Sequence, residues 1–139
     1  MRKTLAVLVL TALMSAVSAY ASGEPSLVGI WYSAGQPDEP NVMSLIEFMA
    51  DGTFREEFRK CENAMVVGYQ FQSGTWSAEN GVEHTLTVMI NGEASKVEDT
   101  YHIELLTDTQ RRIRLQPQGY VFSSLKVSEF TFPDCASGA

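Results

Sequence analysis

The chain has 139 residues, of which 45% are hydrophobic and 19% charged, with 10 basic against 17 acidic side chains and a formal net charge of −7. That length suits one domain with a core of its own. The acidic balance argues against a nucleic-acid partner and against an anionic membrane surface, because both need clustered Lys and Arg.

Residues 1–21 read as a secretory signal peptide. Arg2 and Lys3 give a positive start, an apolar run follows over residues 5–17, and Ala19-Tyr20-Ala21 supplies a small-x-small cleavage site. The run is too short to span a bilayer as a helix, and no later segment is apolar enough to do so. The expected product is exported, periplasmic or secreted, with residues 22–139 forming one domain. Losing Arg2 and Lys3 leaves eight basic residues against 17 acidic ones, a net charge near −9.

The rest of the chain alternates apolar and polar residues in short runs broken by turn dipeptides, the pattern of an antiparallel all-β fold. The first two strands are expected over residues 28–33 and 42–49. Between them, residues 34–41 hold Pro37, Asp38, Glu39 and Pro40. They read as a surface connection long enough to lie across one barrel mouth. The second run, "VMSLIEFMA", is apolar on both faces, so periodicity alone does not separate strand from helix. The Asp51-Gly52 turn that follows favours a strand.

The third strand, residues 53–60, puts Phe54, Glu56 and Phe58 on one face and Arg55, Glu57 and Arg59 on the other. The fourth, residues 65–72, is expected to turn Met65, Val67, Tyr69 and Phe71 inward. Residues 74–78 either continue it past Ser73-Gly74 or begin the fifth. Asn80-Gly81 and Asn91-Gly92 are type I′ hairpin signals, because both central positions need positive φ. Between them, residues 83–90 are expected to point His84, Leu86, Val88 and Ile90 inward. Residues 96–106 align Val97, Tyr101, Ile103 and Leu105. Two final strands are expected over residues 112–116 and 120–132. The arginines of "QRRIRL" (Arg111, Arg112, Arg114) read as a solvated face. Eight sequential strands close most simply into an antiparallel up-and-down eight-stranded β-barrel, which leaves no exposed edge.

Cys61 and Cys135, the only two cysteines, are expected to form one disulfide in an exported chain. The alternative is two free thiols. The bridge would close a loop of about 75 residues and add roughly 4 kcal/mol in the chain-entropy picture.

Four blocks in order, Gly29/Trp31, Phe48 with Asp51-Gly52-Thr53-Phe54, Gly74/Trp76 and the run from Ile103 to Leu115, resemble the small bacterial lipocalin-like (calycin) domains. The resemblance implies a barrel whose first-strand Trp31 plugs one end beside Gly29. The final strand offers Lys126 where that family stacks an arginine on the tryptophan. A mid-chain cysteine clipping the C-terminal segment is a further point of similarity.

Chemistry finds few footholds. His84 and His102 are the only histidines, and neither sits in a nucleophile-elbow pattern. Adjacent acids such as Glu56/Glu57 and Glu98/Asp99 point to opposite faces of a strand and cannot act as a pair. Met43, Met49, Met65 and Met89 read as core filling rather than metal ligands. No enzyme activity, metal or cofactor is therefore expected. Glu56 and Asp99 are different, because each lies on an otherwise apolar face. Either the barrel holds water or a polar ligand there, or the register slips and the acid reaches solvent. The expected function is a cup for a small apolar or amphipathic ligand, lined by Phe54, Glu56, Phe58, Tyr69, Phe71, Leu86, Val88, Tyr101 and Ile103. The alternative is a side-chain-filled barrel that binds a protein partner, such as an exported enzyme it inhibits, through residues 34–41 and the C-terminal tail.

Overall fold

A computed structural model describes residues 26–136. The expected signal peptide therefore lies outside the described residues. Eight antiparallel strands follow one another around a closed barrel: β1 Gly29–Ser33, β2 Val42–Phe48, β3 Thr53–Glu62, β4 Met65–Glu79, β5 Val82–Ile90, β6 Glu93–Leu106, β7 Gln110–Gln116 and β8 Val121–Val127. Each pairs with its neighbour in sequence, and β1 closes the ring on β8 with Trp31 opposite Lys126. This is the up-and-down topology that the turn signals imply.

The hairpins follow from local chemistry. Asn80-Gly81 and Asn91-Gly92 both adopt paired positive φ, the type I′ geometry that twists with the strands. Asn63-Ala64 does the same between β3 and β4, without a glycine to advertise it. At the β2–β3 turn, Asp51 Oδ1 accepts hydrogen bonds from Thr53 N (2.9 Å) and Thr53 Oγ1 (2.6 Å).

The barrel is plugged at one end. Trp31 is fully buried among Leu27, Ile46, Phe48 and Phe54, with Trp76, Ile103 and Leu106 packed around them. Its indole N–H donates to the Leu27 carbonyl at 2.8 Å. Lys126 Nζ lies 5.3 Å from the Trp31 ring centroid, so a point charge covers the aromatic face. A Cβ on Gly29 would stand 2.6 Å from Lys126 Cε, and the backbone there has φ +132°. Gly29, Trp31 and Lys126 thus meet at the closed end.

A second apolar cluster lies outside the barrel wall. Met43 and Leu45 point outward from β2 and are covered by the C-terminal tail through Phe132, with Ile30, Tyr32, Val127 and Phe130 alongside. Arg55 stacks over Phe130 at 4.1 Å, and Arg59 over Phe132 at 4.4 Å. The Cys61–Cys135 disulfide fastens this tail to β3. β2 reads as apolar on both faces because both are covered.

Of the two alternatives for residues 74–78 the first is found, while the end of the last strand and the facing of Leu105 differ from expectation. Residues 74–78 continue β4, with a register shift between Ser73 and Gly74. The last strand ends at Val127, because residues beyond it leave the sheet to cover β2. A register shift between Ile103 and Leu105 turns Leu106, not Leu105, into the plug. Met65 and Met89, expected as core filling, are exposed on the outer wall.

Gly74 marks the tightest approach in the wall. A Cβ there would stand 1.8 Å from the Leu86 carbonyl oxygen, whereas at Gly68 on the same strand it would meet nothing closer than 3.9 Å. Gly74→Ala is expected to lower unfolding free energy by about 3 kcal/mol or more, and Gly68→Ala by less than about 1 kcal/mol. Urea unfolding of both variants measures this, and equal small losses would contradict the close approach.

Candidate functional site

Above the plug, the inner face is polar. On β3, Phe54, Glu56 and Phe58 face inward, as their alternation implies. Glu56 sits opposite Ile46 of β2 and Gln72 of β4, and Phe58 opposite Ser44 and Gln70. On β6, Asp99 pairs with Thr85 and Tyr101 with Glu83. On β7, Ile113 stands opposite Ile103, and Arg111 is on the same inward face.

The β4 and β5 faces run opposite to expectation. Tyr69 and Phe71 point to solvent at 67% and 47% exposure, and Val88 is exposed as well. Leu86 shares the outward face of Val88, and His84 is exposed with its Nδ1 3.1 Å from Thr100 Oγ1. Gln70, Gln72, Glu83, Thr85 and Thr87 take the inner positions instead. The physical reason is that alternation defines two faces without saying which is inside. Here the inner face of β4 and β5 lines a polar chamber, while their outer face carries the larger apolar side chains. Phe54, Glu56, Phe58, Tyr101 and Ile103 come together inside; Tyr69 stands only at the rim.

Arg111 also departs from expectation. It is not part of a solvated face: its side chain is 6% exposed and that of Glu83 is 1% exposed. Arg111 Nη2 donates to Glu83 Oε1 at 2.6 Å and Nε to Oε2 at 3.3 Å, while Nη1 approaches Ser124 Oγ at 3.5 Å. Its guanidinium carbon lies 5.1 Å from the Phe48 ring centroid. The bidentate pair rests on the plug and forms the chamber floor. Arg112 and Arg114 do face outward, where both pair with Glu104. The signal for Arg111 was present in the sequence: it shares its strand parity with Ile113 and Leu115, not with the other two arginines.

Over this floor lies a chamber of about 260 Å³ lined by Glu56, Gln72, Asp99, Tyr101 and Phe122, among others. It opens into a wider space of about 680 Å³ bordered by Phe58, Tyr69, Gln70, Tyr120 and Phe122. Phe58, Gln36 and Phe122 border both spaces. Residues 36–39 of the β1–β2 connection line the mouth, and Gln36 reaches inward to donate to Ser44 Oγ at 3.2 Å. A Gln36–Glu39 bridge, with hydrogen bonds in both directions at 3.1 Å, holds this segment.

The chamber perturbs its acids. Burial holds the Glu56 carboxyl at about 8, with Arg111 pulling it down and Glu83 and Asp99 pushing it further up. Burial also raises Asp99, and it raises the Tyr101 hydroxyl with help from the surrounding carboxylates. Gln72 Nε2 reaches Glu56 Oε1 at 3.5 Å. Of the two alternatives open at Glu56 and Asp99, inward placement over a cavity is the one found. Among the described residues, no three His, Cys, Asp or Glu side chains are grouped to hold a metal ion. No family model and no curated protein matches this chain.

The sign of the Glu56 effect on stability follows from its raised value. Below pH 4.5 the carboxyl is neutral in both folded and unfolded chains. Between 4.5 and about 8 the unfolded chain ionises while the folded chain keeps its proton, so stability falls as pH rises through this window. Thermal melts from pH 5 to pH 8.5 are expected to show a falling Tm that flattens in Glu56→Gln. An identical slope in the variant would remove Glu56 as the cause.

Proposed function

We propose that this chain is an exported, non-catalytic binding protein that holds one small amphipathic ligand in its barrel. The observation that carries the reading is the two-part cavity, with an aromatic mouth of about 680 Å³ over a polar chamber of about 260 Å³. These volumes suit a single small molecule. An eight-stranded barrel is wide enough either to fill itself or to hold one ligand, and here the filling stops at the Arg111–Glu83 floor. The apolar part of the ligand lies against Phe58 and Phe122, and its polar end reaches the chamber below. Export is supported by the leader pattern of residues 1–21 and by the Cys61–Cys135 bridge. Kinship with lipocalin-like proteins is supported by the meeting of Gly29, Trp31 and Lys126 at the plugged end.

One observation favours a protein-contact role instead. Tyr69 and Phe71 pack edge-to-face at 5.4 Å on the exposed outer wall. The same experiment separates the two readings. The neutral fluorophore N-phenylnaphthylamine is expected to brighten on binding the wild-type protein. Phe58→Ala/Phe122→Ala is expected to weaken it about tenfold, the equivalent of about 1.4 kcal/mol. No fluorescence gain, together with no small molecule retained in native mass spectra of protein from its own host, would overturn the cup and leave the outer wall as the working surface.

A further inference from the structure

The charge balance of the chamber narrows the ligand class. Four ionisable groups besides Tyr101 enter it: Glu56 from β3, Glu83 from β5, Asp99 from β6 and Arg111 from β7. The inward residues that β1, β2, β4 and β8 contribute to it (Ser33, Ser44 and Ile46, Gln72, and Phe122) carry no charge. Arg111 is committed. Nε and Nη2 hold Glu83, Nη1 faces Ser124, and Phe48 covers the guanidinium face. Little of it is left for an anionic ligand.

Glu56 and Asp99 therefore share the chamber with no cation of their own. The other described basic side chains lie elsewhere. Arg55, Arg59, Arg112 and Arg114 pair with carboxylates on the outer wall. Lys60 borders the wider mouth with Asp38 and Glu39 and pairs with Glu62 at 3.4 Å, Lys126 covers Trp31, and Lys96 is exposed. Glu56 and Asp99 are half-buried, and a carboxyl partly withdrawn from water without a cation of its own favours its neutral form until a cation arrives. The chamber also offers aromatic surface, since Tyr101 and Phe122 meet edge-to-face at 6.1 Å. Carboxylates beside aromatic rings are the chemistry that recognises an ammonium group.

We propose that the ligand is a cationic amphiphile, its single ammonium group seated in the chamber with Glu56 and Asp99 and its apolar part in the mouth. This rests on the cup reading and specifies its polar end. Glu56 is mostly protonated at pH 7, because its carboxyl is held at about 8. Seating the cation expels that proton to solvent and leaves an ammonium–carboxylate pair, so charge balances within the chamber. For a ligand with a fixed charge, affinity then rises with pH, by as much as tenfold per unit, and levels off above about 8.

The test uses the full disulfide-bonded domain and three probes with one common tail, octyltrimethylammonium, octanol and octyl sulfate, each below its micelle concentration. Titration calorimetry at pH 7 is expected to rank the ammonium at least tenfold tighter than the alcohol, with the sulfate weakest. Repeating it in two buffers of different ionisation heat is expected to show close to one proton released per ammonium bound. Glu56→Gln is expected to remove that release and to cut the ammonium-to-alcohol affinity ratio about tenfold. Asp99→Asn supplies a second variant in which the ratio falls. Equal binding of the three probes, preference for the sulfate, or ammonium binding without proton release would overturn the proposal while leaving the cup intact. Failure of all three to bind would overturn both.

Discussion

The ion pair between Arg111 and Glu83 sets the terms for the rest of the interior. Two nearly inaccessible charges are stable in a protein only with close mutual contact and further hydrogen bonds. The barrel supplies both, through a bidentate contact and Ser124. The pair separates two regions of different chemistry. Below it, Trp31, Phe48 and Phe54 fill the barrel with apolar side chains; above it, Glu56, Gln72, Asp99 and Tyr101 line open space. Removing one partner would leave a buried charge uncompensated, at a cost of about 3–5 kcal/mol. The floor therefore contributes to stability while marking where apolar filling ends.

A barrel with a polar interior has less core to stabilise it, and this chain recovers apolar burial on the outside. The C-terminal tail lays Phe130 and Phe132 against β2 and β3, where Met43 and Leu45 await it. Arg55 and Arg59 stack over the two rings, and the disulfide shortens the unfolded chain's reach. On the adjoining arc, β4 and β5, the tail among the described residues gives no such cover, so Tyr69, Phe71 and Val88 remain exposed. One sheet thus has an arc buried on both faces and an arc whose more polar face is the buried one.

That division explains what could be read from the sequence. Asn-Gly turns and short alternating runs were enough for eight sequential strands, because hairpin geometry is local. Gly29, Trp31 and Lys126 were legible as one group only through the resemblance to lipocalin-like barrels, in which the first and last strands meet at the closed end. The inner faces of β4 and β5 were not legible from hydrophobicity, since assigning the apolar face inward assumes an apolar interior. A polar stripe ran through them all the same: Gln70 and Gln72, then Glu83, Thr85 and Thr87. Glu56 on an apolar face left a polar chamber and a slipped register both open, and the parity of Arg111 with Ile113 was the cue to the buried cation that the solvated-face reading passed over. Those signals needed each other, because a polar interior makes sense of the stripe only once one of its charges has a partner.

Glu56 faces a polar but cation-poor chamber, and the chemistry of the interior depends on that placement. The most direct measurement is a carbon-13 NMR titration of the Glu56 side-chain carboxyl in the folded, disulfide-bonded protein, assigned with Glu56→Gln. A midpoint of about 8 is expected. A midpoint near 4.5, the value of a freely solvated glutamate, would mean an open interior and would contradict it.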